Sequence, residues 1–274
     1  MSINDTYITR YAQNGIWYGQ FTHFPDFVTQ AVSTRFGGYS QNNDLNLALH
    51  TGDDTEHVIK NRTKFCHAVG SSIEYIVTPQ QVHGERIVYV TEADRGRGAW
   101  NYADAISDCD ALITDRPNVA LFLCFADCVP VLFIDPVNHA IGLSHAGWKG
   151  TAKKIGQKTL LQMQKRFGTN PKNCLVGIAP SIGACCYEVD DYVVNEFRKE
   201  YSSLDTILMP STEEGKYHLD LWQANQLQLE EIGVPSDNIA IADICTACNA
   251  KILFSYRAEQ GKTGRIAALL AIKE

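Results

Sequence analysis

The clearest pattern along the chain is a group of uninterrupted apolar runs in its middle third. Residues 119–125, 131–135 and 140–145 contain few polar positions, and the first two runs are separated only by Ala126-Asp-Cys-Val-Pro130. Runs without polar alternation predict strands that are covered on both faces, at the centre of a layered sheet. The short turn at residues 136–139 predicts that the second and third runs pair antiparallel.

Helices and further strands are predicted on both sides of this centre. Periodic apolar positions, with Asp or Thr near the start and Gly near the end, predict helices at residues 55–69, 150–167, 189–201 and 221–232. Further strands are predicted at residues 27–33, 75–77, 86–91, 174–178, 239–242 and 265–272. No repeat or linker divides the chain. The expected class is therefore α/β (α+β), a single layered sandwich of mixed β-sheets flanked by helices, forming one domain over residues 1–274.

Composition narrows the possible partners. The chain carries 24 Lys and Arg against 31 Asp and Glu and has no basic run, so nucleic acid is not an expected partner. The most apolar window contains Asp127 and Pro130 and is too short to span a bilayer, so no membrane segment is expected. Residues 1–17 show no secretory signal, and the nine cysteines are an odd number, which favours a reducing, cytoplasmic location. The oligomeric state stays open.

Three candidate metal ligands stand beside Gly, Asp or Pro at predicted strand ends. They are His83 before Gly84, Cys128 after Asp127, and His145 two residues before Gly147. Thiolate and imidazole ligands suit zinc, and three protein ligands leave a fourth position open, as catalytic zinc sites do. The alternative is that Cys128 packs as a small apolar side chain and that each histidine is an ordinary hydrogen-bonded residue.

The remaining cysteines give a weaker signal. Cys245-Thr-Ala-Cys248 has the spacing of a redox or zinc site, but a structural zinc site needs a second pair of ligands. No such pair is evident along the chain. The neighbouring residues Cys185 and Cys186 lack helical metal-binding spacing and are expected to pack rather than to bind.

Several short motifs resemble segments of the YfiH-like family, also called the laccase-domain or polyphenol oxidase family. The main ones are Gln81-Val-His-Gly84, Ala126-Asp-Cys-Val-Pro-Val-Leu-Phe133 and His145-Ala-Gly-Trp-Lys-Gly-Thr151. Further similar segments follow the family's order: Ser33–Gly38, Leu45–Leu47, Tyr187–Val189, Cys245-Thr246, Phe254–Arg257 and Thr263–Arg265. The resemblance implies a zinc site of His83, Cys128 and His145. It also implies phosphorolysis of adenosine, inosine and methylthioadenosine, together with adenosine deamination.

Such a reaction needs groups that hold phosphate and move a proton. Arg35, Arg62 and Lys149 are the candidate phosphate-binding cations, and the resemblance implies Arg in many family members at the position of Lys149. Asn46, within the Leu45–Leu47 segment, completes the expected substrate-binding set. Asp127 is the candidate acid/base residue, although side chains adjacent on a strand point to opposite faces, so it is equally expected to be a buried structural carboxylate.

Three other functions compete with this one. A copper-dependent polyphenol oxidase would need a cysteine-bearing copper and a cluster of several histidines, and the sequence has no His-x-His pair. A thiol hydrolase would use Cys128 as a nucleophile that His145 activates. A non-catalytic module would bind metal and purine without turnover.

Overall fold

The computed structural model describes residues 6–274, so the prediction that residues 1–17 carry no secretory signal lies partly outside the described residues. The strands are β1 (Tyr7–Tyr11), β2 (Trp17–Phe21), β3 (Val28–Ser33), β4 (Ile76–Val77), β5 (Ile87–Tyr89), β6 (Ala111–Thr114), β7 (Ala120–Phe125), β8 (Val129–Asp135), β9 (Ala140–Ala146), β10 (Leu175–Ile178), β11 (Glu188–Asp190), β12 (Leu208–Pro210), β13 (Lys216–Leu219), β14 (Ile239–Ile241) and β15 (Ile266–Ile272). The helices are α1 (Thr55–Ala68), α2 (Trp148–Ala152), α3 (Ile155–Phe167), α4 (Asp191–Arg198) and α5 (Leu221–Glu230).

These strands form two six-stranded sheets and one small sheet. The first sheet has the order β1-β2-β3-β15-β7-β4, and the second has the order β14-β10-β8-β9-β6-β5. Each sheet contains parallel and antiparallel pairs. In the first sheet β7 is parallel to β4 and antiparallel to β15. In the second sheet β10 is parallel to β14 and antiparallel to β8. Strands β11, β13 and β12 form the small sheet. The predicted class of mixed sheets with flanking helices is confirmed.

The two large sheets face each other across a shared apolar core. Leu121 and Leu123 of β7 pack in the same cluster as Leu132 of β8. The residue between the two leucines, Phe122, points to the other face and packs with Phe65 of α1. Burial of a side chain of this size stabilises the fold by about 1.5–3 kcal/mol. Strands covered on both faces explain the runs without alternation in the sequence.

Some boundaries differ from the sequence prediction. The helix predicted at residues 150–167 is two helices, because Lys154 adopts the left-handed conformation with φ 58° and ends the α-helical path between α2 and α3. The first part of the helix predicted at 189–201 is strand β11, which pairs with β13, and α4 follows it. Strands β1, β2, β6, β12 and β13 were not predicted. No helix within residues 6–274 is long and apolar enough to cross a membrane.

Candidate active site

The centre of the site is the short segment that crosses from one large sheet to the other. Strand β7 ends at Phe125 in the first sheet, and β8 begins at Val129 in the second. Asp127 makes the turn in the left-handed region, with φ 81°, where Asp is tolerated better than most residues. Its carbonyl accepts a hydrogen bond of 2.9 Å from the Ile182 amide. Cys128 therefore lies between the end of β7 in the first sheet and the start of β8 in the second.

Two histidines approach Cys128 from different elements. His145 lies on β9 directly opposite Pro130 of β8, so the predicted antiparallel pairing is observed and brings His145 beside Cys128. His83 follows β4 in a loop and adopts φ 59°. The ligand atoms of His83, Cys128 and His145 all lie within 4.8 Å of one another. The structure therefore brings together the three candidate ligands that are far apart in the sequence.

Asp110 orients both histidines. Its Oδ1 accepts a hydrogen bond of 2.8 Å from Nδ1 of His145, which leaves the Nε2 atom of that ring to face the thiol. The same carboxylate accepts backbone N–H bonds from Val82, His83 and Gly84, so it also holds the loop that carries the second histidine. A carboxylate behind a ligating imidazole sets its tautomer and raises its basicity as a metal ligand.

The thiol and its imidazole neighbour have shifted pKa values. Burial alone would raise the pKa of Cys128, but the His145 and His83 rings beside it lower this pKa to about 6. Burial would lower the pKa of His145, but the Cys128 thiolate and the Asp110 carboxylate raise it to about 9. Without a metal, these residues would form a thiolate–imidazolium pair near neutral pH. The same electrostatics prepare a thiolate to act as a metal ligand.

The donor set fits a zinc ion. Two imidazoles and one thiolate are typical zinc ligands, and the three side chains leave a fourth position toward the cavity. A Cβ atom at Gly147 would lie 2.8 Å from Cys128 Sγ and 3.1 Å from His83 Cδ2, so this glycine keeps the space that the ligands occupy.

The donor set fits a multi-copper centre less well. A single copper could use the same two histidines and one cysteine, usually with a weak axial methionine. Of the described methionines, Met163 packs beside Gly142 and Met209 lies on β12. The two groups of metal-capable side chains found between residues 6 and 274 contain two histidines in all, too few for a cluster of several coppers.

A cavity of about 580 Å³ opens beside these ligands, a size that suits small-molecule substrates. Its cationic lining residues are Lys149, Arg257 and Arg265, and its one carboxylate is Asp127. None of the three cations forms an ion pair with a carboxylate of the described chain. The cavity also has aromatic walls, provided by Trp148, Tyr187, Tyr256 and His50.

Of the predicted phosphate-binding cations, only Lys149 lies in this cavity. Its ammonium group lies 5.6 Å from the centroid of the Trp148 ring. Arg35 lies elsewhere, where it pairs with Asp44 at 2.7 Å and with Glu259 at 3.2 Å. These two carboxylates already neutralise the Arg35 guanidinium.

Arg62 and Asn46 are also outside the cavity lining. Arg62 is only 1% exposed, and its guanidinium donates hydrogen bonds to the carbonyls of Leu47, Gly98 and Ala99. Asn46 is buried, and its side-chain oxygen accepts a hydrogen bond of 2.9 Å from the backbone amide of Arg265. Both residues tie loops together, and Asn46 is joined to a cavity-lining residue through the backbone amide of Arg265.

Asp127 lines the cavity, but both of its carboxylate oxygens are engaged. Oδ1 accepts a hydrogen bond of 2.6 Å from the Thr246 hydroxyl, and Oδ2 accepts one of 2.6 Å from the Arg257 amide. This carboxylate therefore anchors the chain segment that carries Arg257. Of the two roles expected for Asp127, the geometry favours the structural one.

Several residues of the candidate site were not predicted from the sequence. Asp110 carried a usable signal, since it directly precedes a short buried strand, but β6 has only four residues and was not recognised. Arg257 and Arg265 belong to segments that resemble the family, yet nothing in their local sequence indicates that they face one cavity. Gln81 exchanges two hydrogen bonds with the backbone of Cys124, which joins the loop of His83 to β7.

Comparisons with known proteins agree on one family. Residues 29–273 match the family model described as multi-copper polyphenol oxidoreductase laccase. The chain is 41% identical over 245 residues to the purine nucleoside phosphorylase YlmD of Geobacillus stearothermophilus, covering 89% of each chain. It is 31% identical over 239 residues to the adenosine deaminase RL5 of an unknown prokaryotic organism, covering 86% of this chain and 91% of that one. The crystal structure of YlmD from Geobacillus stearothermophilus superposes with a TM-score of 0.91 and 38% identity, covering 97% of this chain and 99% of that one.

Proposed function

This chain belongs to the family described as multi-copper polyphenol oxidoreductase laccase, and we propose that it is a zinc-dependent purine nucleoside phosphorylase. The proposed reaction cleaves adenosine, inosine or S-methyl-5′-thioadenosine with phosphate to the free base and (methylthio)ribose 1-phosphate. An adenosine deaminase activity is proposed for the same pocket. The names of the relatives support this choice, because they include purine nucleoside phosphorylases and one adenosine deaminase.

One observation carries the proposal. The three candidate metal ligands and three cations without carboxylate partners face a single cavity of about 580 Å³. Such a cavity suits a reaction with one anionic and one neutral substrate, and phosphate and a nucleoside are such a pair. The metal ligands that line this cavity come from three places: the crossing segment, β9 and the loop after β4. We therefore propose that residues 1–274 form one domain.

We assign the three cations that line the cavity to the binding of phosphate. Lys149 stands near the start of α2, and Arg257 and Arg265 of the C-terminal segments line the same cavity. Part of the Arg257 guanidinium donates to the carbonyls of Cys186 and Glu188, which fixes its direction. Charge-assisted hydrogen bonds from these groups would hold phosphate below the ribose C1′ atom. A phosphate oxygen would attack C1′ as the bond from C1′ to the purine nitrogen breaks.

The aromatic residues are assigned to the purine. Trp148, Tyr187 and Tyr256 line the cavity, and stacking of a base on an aromatic side chain contributes about 1–3 kcal/mol. His50 lies at the same wall, and burial together with the positive charge of Arg265 lowers its pKa to about 4. His50 is therefore neutral near pH 7 and can both donate and accept a hydrogen bond.

We assign His83, Cys128 and His145 to holding a metal ion that would activate the purine leaving group and a water molecule. A zinc ion held by His83, Cys128 and His145 would supply a Lewis acid and lower the pKa of a bound water to about 7. Asp110 keeps the His145 ring in the tautomer that presents Nε2. The deaminating reaction uses water instead of phosphate as nucleophile, so it should need the metal ligands more than it needs the cations.

The proposal is tested with a purine nucleoside panel incubated with and without phosphate. Inosine should release hypoxanthine only when phosphate is present, and ribose 1-phosphate should appear in equal amount. His83→Ala and Cys128→Ala should each lose the zinc ion of this site, and turnover with it, while remaining folded by circular dichroism. Equal base release without phosphate would identify a hydrolase instead.

Measurements on the same purified protein distinguish the proposed enzyme from three alternative functions. A polyphenol oxidase would contain copper and consume oxygen with a phenol, which elemental analysis and an oxygen electrode detect. A thiol hydrolase would be most active without metal and would be stopped by iodoacetamide at Cys128. A binding module would hold zinc and nucleoside and release no product.

A further inference from the structure

Four cysteine side chains form a second cluster, outside the set His83, Cys128 and His145. Cys185, Cys186, Cys245 and Cys248 have sulfur atoms that all lie within 4.8 Å of one another. Cys248 Sγ lies 3.6 Å from Cys185 Sγ and 3.4 Å from Cys186 Sγ, too far apart for a disulfide bond. The sequence analysis found no second pair for the Cys245 and Cys248 motif. The structure corrects this, because the vicinal pair Cys185 and Cys186 is that partner.

The fold holds the two pairs opposite each other. Strands β10 and β14 are parallel neighbours, and the loops that follow them continue side by side. The Ser181 amide donates to the Ile244 carbonyl, and the Thr246 amide donates to the Ser181 carbonyl. These backbone bonds set the register between the loop that carries the vicinal pair and the loop that carries Cys245 and Cys248.

The space between the loops is kept for sulfur. A Cβ atom at Gly183 would lie 3.3 Å from both Cys185 Sγ and Cys245 Cβ, and 2.9 Å from the Trp222 ring. The Gly183 amide also donates a hydrogen bond of 3.3 Å to Cys245 Sγ. Amide donors of this kind stabilise a thiolate, which is the form that binds a metal.

We propose that Cys185, Cys186, Cys245 and Cys248 bind a second zinc ion in a closed, structural site. Four thiolates are a usual donor set for structural zinc, and a Zn–S bond of about 2.3 Å places tetrahedral sulfurs about 3.8 Å apart. The observed sulfur separations of 3.4 and 3.6 Å are close to that value. A closed site has no position for water, so this zinc has no catalytic role.

The charge that four thiolates would carry also favours a metal ion in this cluster. Four thiols this close cannot all ionise without a cation between them, whereas a divalent metal removes that repulsion.

The proposed zinc would stiffen one wall of the cavity. Cys186 precedes Tyr187, which lines the cavity, and the Cys186 carbonyl accepts a hydrogen bond from Arg257. Cys245 precedes Thr246, whose hydroxyl donates to Asp127. Loss of the zinc would therefore free the two loops that hold these contacts, while the ligands His83, Cys128 and His145 stay in place.

Zinc stoichiometry tests the proposal without any activity assay. The full chain is purified with a reductant, and its zinc is measured by elemental analysis. We expect about two zinc ions per chain, about one in Cys185→Ser/Cys248→Ser, and about one in His83→Ala/Cys128→Ser. Both cysteines of the first variant are exposed, so the substitutions leave the core intact. Cys66→Ala, a buried cysteine of α1, is the matched control and should keep both ions.

Thermal unfolding adds a second measurement. A chelator that strips the Cys185/Cys248 site should lower the midpoint of the wild type but have no such effect on Cys185→Ser/Cys248→Ser. Unchanged zinc content in that variant would overturn the proposal. A wild-type mass lower by two hydrogen atoms, with no second zinc under reducing purification, would identify a disulfide pair and would overturn it as well. Because the His83/Cys128 variant is measured separately, failure of this site is distinguishable from failure of the proposed enzyme function.

Discussion

The Asp110 carboxylate lies 2.8 Å from Nδ1 of His145, and both side chains are almost completely enclosed. This pair joins the second sheet to the loop of His83, since the same carboxylate also accepts three backbone N–H bonds from that loop. One buried acid thus fixes the ring direction of one candidate ligand and the backbone of another.

Asp110→Asn should weaken zinc binding by about 10- to 100-fold, because the amide keeps the volume but can present an N–H to the imidazole and stabilise the wrong tautomer. Competition with a zinc-binding dye measures the affinity directly. Asp115→Asn, at a half-buried position away from the metal ligands that accepts a hydrogen bond from the Tyr89 hydroxyl, is the matched control. Equal zinc affinity in wild type and Asp110→Asn would show that the carboxylate does not orient a metal ligand.

Gly147→Ala should disturb the metal ligands more than the fold. The backbone at Gly147 has φ −63°, which alanine adopts freely, so the cost comes from a Cβ placed 2.8 Å from Cys128 Sγ. Crowding of this kind costs about 1–3 kcal/mol. The expected result is a lower zinc content with little change in far-ultraviolet circular dichroism.

Gly156→Ala provides the control for that substitution. A Cβ at Gly156 meets its nearest atoms at 3.4 Å, an ordinary contact, and the residue lies inside α3, where alanine is favourable. This variant should keep its zinc and its stability. Zinc content that stays the same in Gly147→Ala would contradict the view that the glycine makes room for the ligands.

Lys149→Ala should raise the KM for phosphate by about 10- to 100-fold, since a charge-assisted hydrogen bond contributes about 1.5–3 kcal/mol. The deamination of adenosine, which uses water, should be largely spared. Lys153→Ala removes a nearby lysine that does not line the cavity, and it should leave the KM for phosphate unchanged. If Lys149→Ala loses both reactions in equal proportion, the lysine holds the nucleoside rather than phosphate.

Arg35→Ala should affect stability instead of phosphate binding. Its ion pair with Glu259 joins segments more than 200 residues apart. Removing the guanidinium leaves Asp44 without an ion-pair partner, whereas Glu259 keeps two hydrogen bonds from its own loop. A lower midpoint in urea, with an unchanged KM for phosphate, is the expected result. A phosphate KM that rises as in Lys149→Ala would return Arg35 to the substrate site.

His23 should make the protein less stable in mild acid. Burial lowers its pKa from 6.5 in the folded state, with a smaller opposing effect of the Val176 backbone. The unfolded chain therefore binds the proton first, so the stability present above about pH 6.5 falls as pH drops toward the folded pKa. His23→Gln should flatten this pH dependence of the unfolding free energy, whereas His67→Gln, at the exposed end of α1, serves as the control. The same slope in both variants would exclude His23 as its source.

The sequence by itself determined the centre of the fold and picked out three side chains, His83, Cys128 and His145, that meet in the structure. Apolar runs such as residues 119–125 predict strands covered on both faces, and β7 is buried on both faces in the structure. A short turn between two such runs predicts an antiparallel pair, and that pair carries His145 toward Cys128. These features are readable because local periodicity reports burial, and the reach of a hairpin is set by few residues.

Only the tertiary structure decided which charged and sulfur-containing side chains meet. Arg35 and Lys149 look alike in sequence, but carboxylates from distant segments neutralise Arg35 and none pairs with Lys149 within the described chain. Cys186 and Cys248 are 62 residues apart and come together because β10 and β14 pair in parallel. The physical reason is the same in each case. A side chain's charge partners and metal-binding neighbours depend on how strands far apart in the chain pair, and this pairing leaves no local pattern in the sequence.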